Sequence, residues 1–353
     1  MKICFFDDEP ELYPYQYGGK ARTITNLANE FIKRDDVEKV TILSRSINTK
    51  EKEFMKDGVL YVSLDDSNTI SKIKEACDEY DIISIHCCSF TFPLIKSKAK
   101  KIYFLHDVLI ATAEKGSHLD KALGGVFDCV MAPSEYAKEI LDENKKLLGE
   151  KSNCIVIPRH INKELFKQMT KEEILNDSNA PQVLKETIRK YEKIVFFPSR
   201  PIDEKGGKYI IDIASDLKKN NTCIIGPFDN DNLPSNIINT DWIRSDDMKY
   251  YYSASDVTCN FSLLPESFSQ VCIESIYCGT PVVAFPSGNI KNLSNLTNAI
   301  FLSEKNNKSI MKQINKAINY KEIEQEKEKI SNIFDKNKII NNYIATYKKL
   351  MGE

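Results

Sequence analysis

Short runs of β-branched and aromatic residues alternate with longer polar stretches whose apolar positions recur at helical spacing. The first runs are Lys2–Phe6, Lys39–Leu43, Val59–Val62, Asp81–Ile85, Lys101–Leu105, Cys129–Met131 and Cys154–Ile157, which read as strands. Between them Thr23–Arg34, Ile70–Glu79 and Glu135–Asn144 read as amphipathic helices. The pattern then restarts with strand-like runs at Lys193–Phe197, Thr222–Ile225, Asp256–Cys259, Pro281–Phe285 and Ala299–Leu302. Strand-helix alternation predicts an α/β fold of mainly parallel, doubly wound sheets. A polar segment from Lys167 to about Lys190 separates the two series, and the tail after Lys321 reads as helix. The expected organisation is an N-terminal Rossmann-like domain over 1–166 and a second over 167–336, with a helix at about 337–353 packing back on the first.

Length and composition fit two cored domains: 353 residues, 42% hydrophobic and 28% charged. Lysine plus arginine total 49 against 51 acidic residues, and neither half is strongly basic, so nucleic acid is not an expected partner. No apolar run reaches the length of a membrane span, and MKICFFDDEP does not resemble a signal peptide. The ten cysteines sit mostly in apolar runs without CxxC pairs or metal-ligand spacing. They predict buried thiols, a reducing cytoplasm and no zinc.

Parallel sheets bind ligands beyond the carboxyl ends of their strands, which directs attention to those loops. Glycine is scarce, 13 of 353 residues, yet six of the thirteen form the pairs Gly18–Gly19, Gly124–Gly125 and Gly206–Gly207. Gly18 and Gly19 follow the first strand and precede a helix, where backbone amides can meet an anion, although an ordinary loop-to-helix turn also fits. GxGxxG is absent, and GGKA lacks the features of a P-loop, which disfavours a dehydrogenase and an NTPase. In FFPSRPIDEKGG, Arg200 closes a strand and Lys205 follows five residues later beside glycines, a spacing suited to a diphosphate. In LLPESFSQVCIESIYCGTPVVAFPSG, Glu266 precedes a helix start at Ser267, Phe268 and Ser269. Glu274 lies eight residues on among Val271, Cys272, Ile273 and Ile276, where an unpaired carboxylate would be costly. A buried structural partner or a ribose-binding carboxylate both answer that requirement.

These residues resemble the glutamate-seven-glutamate motif of the retaining, GT-B-fold, family 4 nucleotide-sugar glycosyltransferases (glycosyl transferases group 1). The trailing CGTPVVA matches, as do Arg200 and Lys205, Gly18–Gly19, His86 in YDIISIH, His106-Asp107 in LHD, MAPSEYAKEIL and VIPRHINKELF, all in order. The resemblance covers nearly the whole chain. It implies that Arg200, Lys205 and the helix start at Ser267, Phe268 and Ser269 bind the donor diphosphate, Glu274 the ribose and Glu266 the donor sugar. His106 would meet the sugar from the first domain, and Gly18 and Gly19 would line the donor site. It further implies retention by front-face attack, a UDP- or GDP-sugar donor, no cofactor and no metal. The acceptor would be a glycan, a lipid-linked sugar or a small molecule, and the location cytoplasmic or peripheral on the inner face of the membrane. Alternatives are a GT-B nucleotide-sugar epimerase and a catalytically silent subunit of a glycosyltransferase complex.

The sequence departs from the pattern in three places. Ser199 stands where the family has glycine, Ser267 and Ser269 replace the glycines of EGFG, and SGNIKN lacks the usual acid. Asp229-Asn230-Asp231 mimics a metal-binding DxD but reads as a polar loop. Tyr13, Tyr15 and Tyr17 suit either acceptor stacking or packing. Lys96, Lys98, Lys100 and Lys101 read as a solvated helix end and strand start, with contact to anionic lipid as the alternative. His118 and His160 receive no role.

Overall fold

The computed structural model describes residues 1–7, 13, 18–45, 52–86, 96–106, 108, 127–143, 153–229 and 232–353. The chain divides into two compact units, Met1–His160 with Lys336–Glu353, and Ile161–Asp335. Each is built on one sheet.

The strands of the first unit are β1 (Lys2–Asp7), β2 (Lys39–Ser44), β3 (Glu53–Lys56), β4 (Val59–Ser63), β5 (Ile82–Ile85), β6 (Lys100–Phe104), β7 (Cys129–Ala132) and β8 (Asn153–Val156). Their order is β3-β4-β2-β1-β5-β6-β7-β8, all parallel except β3, which pairs antiparallel with β4. The central strands are buried on both faces, which is why they read as unbroken apolar runs rather than as alternation. Edge strand β3 was not expected. Its four residues are half exposed, and its hairpin turns on Asp57 and Gly58, both at positive φ.

The C-terminal helix Lys336–Met351 belongs to this unit. Tyr343 and Tyr347 meet Phe31 edge-on at 6.0 and 5.8 Å, and Lys348 pairs with Asp36 at 2.8 Å. Burying these aromatic faces is the main reason the segment stays helical, since asparagine-rich stretches have little intrinsic preference for helix.

The second unit contains β9 (Lys193–Phe196), β10 (Thr222–Gly226), β11 (Ile237–Asn239), β12 (Val257–Asn260), β13 (Val282–Ala284) and β14 (Ile300–Leu302). The order β11-β10-β9-β12-β13-β14 is parallel throughout and is that of a dinucleotide-binding Rossmann sheet. Strand order reverses between β9 and β12, so the loops that follow these two strands flank the crevice where such sheets take ligands. Close packing holds that crevice. A methyl group on Gly206 would lie 2.3 Å from the Phe261 carbonyl oxygen, and Gly206 itself sits at φ +74°.

Candidate functional site

Arg200 and Lys205 follow β9, and Glu266 follows β12, so both halves of the expected donor site arrive at the point of reversal. Lys205 closes a single 3-10 turn, Asp203–Lys205, and Gly206 then lets the chain enter the next helix. Lys205 Nζ donates to Glu266 Oε1 at 2.6 Å and reaches Ser262 Oγ at 3.5 Å. Arg200 is exposed, and its guanidinium has no hydrogen-bond or ion-pair partner among the described residues. It is therefore available to an anion.

The loop around Glu266 is fixed by its backbone. Asn289 N–H donates to the Glu266 carbonyl at 2.8 Å, and Asn289 Nδ2 to that of Phe268 at 3.1 Å. Gly288, at φ +57°, permits this approach, because a Cβ there would lie 2.5 Å from the Glu266 oxygen. Ser269 caps the helix Gln270–Tyr277 at φ +69°, a left-handed conformation costly for serine and natural for the glycine it replaces. Its hydroxyl takes a hydrogen bond from Asn260 Nδ2 at 2.9 Å and donates to Cys272 Sγ at 3.2 Å, tying the residue into β12. Ser267 is buried. The Phe268 ring is also buried, edge-on to Phe334 at 5.5 Å, which leaves the backbone rather than the ring for a ligand.

Glu274 is 4% exposed in the middle of that helix, and Tyr252 Oη donates to its Oε2 at 3.2 Å. The phenol offsets part of the desolvation cost of the carboxylate. Tyr252 comes from the helix Met248–Ala254, and no feature of the sequence pairs it with Glu274.

The polar residues of the first unit gather at the carboxyl ends of its own strands. Asp7, the last residue of β1, is fully buried, accepts from Lys20 Nζ at 2.8 Å and from Tyr13 Oη at 2.7 Å. Tyr13 thus takes the packing role. Tyr15, Tyr17, Asp107, His118, Gly124, Gly125, Asn230 and Asp231 lie outside the described residues. Gly18 and Gly19 open the helix Gly19–Phe31 directly, four residues before the predicted start. Lys20, the third residue of GGK, is held by Asp7.

His106 follows β6 and His86 follows β5. Arg159 Nη2 donates to His106 Nδ1 at 2.9 Å, His106 Nε2 lies 2.6 Å from His86 Nδ1, and His86 Nε2 lies 2.9 Å from Ser84 Oγ. Burial pushes both histidines well below the usual imidazole range, and the charges of Lys20 and Arg159 add to the effect. Both ring nitrogens of His106 are engaged by protein groups, so a sugar hydroxyl bonding to either must replace Arg159 or His86. Arg159 lies within VIPRHINKELF, but nothing in the sequence marks it as a partner of His106.

Among the described residues no group of three or more His, Cys, Asp or Glu side chains is placed to hold a metal ion. No helix of the described residues is long and apolar enough to cross a membrane. Lys100 pairs with Asp128 at 3.7 Å, while Lys96 and Lys98 are exposed.

Comparison with known proteins agrees with this architecture. Residues 180–334 match the family model for glycosyl transferases group 1. No curated protein matches the chain. Among solved structures, sucrose-phosphate synthase from Thermosynechococcus elongatus is 15% identical with a TM-score of 0.77, covering 99% of both chains. HepE from Anabaena, solved with UDP-glucose, is 17% identical with a TM-score of 0.74, covering 99% of this chain and 100% of that one. A glycosyltransferase from Rickettsia africae is 19% identical with a TM-score of 0.74, covering 99% of each. At these identities the structural likeness speaks for the fold, and the family match over most of the second unit speaks for the chemistry. Residues 180–334 match the glycosyl transferases group 1 family, and the chain has the GT-B fold of these solved structures.

Proposed function

We propose that the chain is a retaining, metal-independent glycosyltransferase that moves a sugar from a UDP- or GDP-sugar to an acceptor hydroxyl. The observation that carries this reading is the meeting of Lys205 and Glu266 at the reversal point of the second sheet, with unpartnered Arg200 at the same strand ends. A donor diphosphate is a stronger partner for Lys205 than one carboxylate, because it offers more charge and more acceptor oxygens. On donor binding Lys205 turns to the diphosphate, and Glu266 is released to hold the sugar hydroxyls. Arg200, Lys205 and the amides at the start of Gln270–Tyr277 then stabilise the charge growing on the leaving diphosphate, the role a divalent metal plays elsewhere. Glu274 accepts from the ribose diol in place of, or beside, Tyr252. The acceptor attacks from the face the diphosphate leaves, and the leaving phosphate takes its proton, so no protein nucleophile is needed.

The first unit serves the acceptor, which is a glycan, a lipid-linked sugar or a small molecule. The working location is the cytoplasm or the inner face of the membrane. Fold relatives were solved with UDP-glucose and with UDP-2-fluoro glucose, so UDP-sugars come first in the assay. The test is a thermal-shift screen of nucleotide sugars followed by acceptor-dependent release of nucleoside diphosphate, with the product anomer read by NMR. Ligand at about 100 times its dissociation constant should add about 2.7 kcal/mol. An inverted anomer would overturn the retaining mechanism, and no response to any nucleotide sugar would overturn the donor site.

A further inference from the structure

The chain of three contacts that runs from Arg159 through His106 and His86 to Ser84 admits one arrangement of protons when both rings are neutral. A guanidinium donates and never accepts, so His106 Nδ1, 2.9 Å from Arg159 Nη2, carries the lone pair. The His106 proton is then on Nε2, which faces His86 Nδ1 at 2.6 Å. His86 Nδ1 must accept, which puts its own proton on Nε2, directed to Ser84 Oγ at 2.9 Å. Protonating His106 would aim an N–H at the Arg159 N–H, and protonating His86 would aim one at the His106 N–H. The two rings lie 4.9 Å apart between centroids, and Phe104 stacks on His86 at 5.3 Å and tilts against His106 at 4.7 Å. The packing therefore leaves the rings little room to turn.

We infer that Arg159 and His86 are positioning residues that hold His106 as a neutral imidazole with its proton on Nε2. The inference rests on the reading of His106 as the residue of the first unit that faces the donor sugar. In that setting neutrality matters, because the anomeric carbon gains positive charge as the diphosphate departs, and an imidazolium beside it would oppose that charge. Arg159 serves twice: its N–H fixes the tautomer, and its charge, with that of Lys20, discourages a second proton. An arginine suits this better than a lysine alone could, since its planar fork directs one N–H along a fixed line.

Side-chain nitrogen NMR reads the tautomer directly, and the full chain has only four histidines to assign. The wild type should show His86 and His106 as neutral Nε2–H tautomers from about pH 8 down to about pH 5.5, where a free imidazole would be mostly charged. Arg159→Ala should release His106 to a mixture of tautomers that titrates, whereas Arg159→Lys should keep the Nε2–H form. In turnover, Arg159→Ala should lower kcat by roughly tenfold with donor KM changed less than about threefold, and Arg159→Lys should recover much of the loss. His86→Asn, which keeps an acceptor near the Nδ1 position, should outperform His86→Leu. A His106 proton on Nδ1 or a charged ring at neutral pH in the wild type would overturn the inference without any variant. So would an unchanged His106 signature, or an unchanged kcat, in folded Arg159→Ala. Failure of the transferase reading would show separately, as a wild type that turns over no nucleotide sugar.

Discussion

Lys205 and Glu266 stand 61 residues apart in the chain and meet at 2.6 Å, each side chain a little over a fifth exposed. A pair so open to water contributes less than about 1 kcal/mol to folding, since screening and side-chain entropy offset most of the attraction. Its value lies in its place at the reversal of strand order. In the proposed function the pair holds a cation and a carboxylate ready for a donor that separates them.

Function and stability should therefore part company at this site. Lys205→Ala and Arg200→Ala should each lower kcat/KM by about tenfold to a hundredfold, about 1.4–2.7 kcal/mol of transition-state stabilisation. Their denaturation midpoints should imply losses below about 1 kcal/mol. Steady-state kinetics and urea titrations on the same preparations check both halves. Wild-type turnover in the two variants would remove the diphosphate from this crevice.

Gly288 offers an independent test of the Glu266 loop. A methyl group there meets the Glu266 carbonyl oxygen at 2.5 Å and its nitrogen at 2.6 Å, and φ is +57°. Gly288→Ala must push that backbone aside, and reacting groups displaced by about 1 Å can lose about a hundredfold in rate. The variant should stay folded and lose at least about tenfold in kcat. Unimpaired turnover would show that the position of Glu266 is not critical.

Much of this was legible in the sequence. Interior strands such as Ile82–Ile85 and Val257–Asn260 announced themselves, because burial on both faces demands an unbroken apolar run. Edge strands Glu53–Lys56 and Ile237–Asn239 did not, being short and partly exposed. Arg200, Lys205, Glu266 and Glu274 stood out by spacing within two contiguous segments. Tyr252 and Arg159 were silent because their partners lie 22 and 53 residues away in the chain. A hydrogen bond from Tyr252 to Glu274 or from Arg159 to His106 depends on how helices and strand ends dock, and no local pattern encodes it.

Donor chemistry should not depend on a divalent cation. In the proposed reaction Arg200 and Lys205 supply the positive charge that a metal would bring to the leaving diphosphate. Donor cleavage in excess EDTA should stay within about twofold of the untreated rate. Abolition by EDTA with rescue by Mn²⁺ would assign that charge to a bound cation instead.

Acid should destabilise the fold earlier than its carboxylates alone require. Burial pushes His160 down to about 4, and His86 and His106 well below the ordinary value. In the unfolded chain each takes up a proton near pH 6.5, whereas the folded chain resists it, so the unfolded state binds more protons below that pH. Stability is then greatest above about pH 6.5 and falls as pH drops toward each depressed folded value, by about 1 kcal/mol per histidine between pH 6.5 and 5.5. Urea midpoints across that window measure the slope. His160→Gln should flatten it by about a third, one of three such groups being removed. A flat profile in the wild type would mean that these rings take up protons in the fold.

The two glutamates should fail in different ways. Glu274 is buried on Tyr252 Oη at 3.2 Å, and in the proposed donor complex it meets the ribose, a group remote from the reacting carbon. Its contact is alike in ground and transition states, so Glu274→Ala should chiefly raise donor KM. Tyr252→Phe removes the phenol that steadies the carboxylate and should raise KM less. It should also lower stability by about 1.5–3 kcal/mol, the ordinary loss for one hydrogen bond to a charged group. Glu266 is half-buried and bound to Lys205, and in the proposed donor complex it stands beside the sugar that gains positive charge. Glu266→Ala should lower kcat even with donor saturating. Glu266→Gln separates the two contributions: it keeps the shape but cannot form the ion pair, so partial activity assigns Glu266 a hydrogen-bonding role and near-complete loss an electrostatic one. Initial rates over a matrix of donor and acceptor concentrations distinguish these outcomes. A pattern in which Glu274→Ala lowers only kcat while Glu266→Ala raises only KM would exchange the two assignments, because the carboxylate that matters in the transition state is the one nearest the breaking bond.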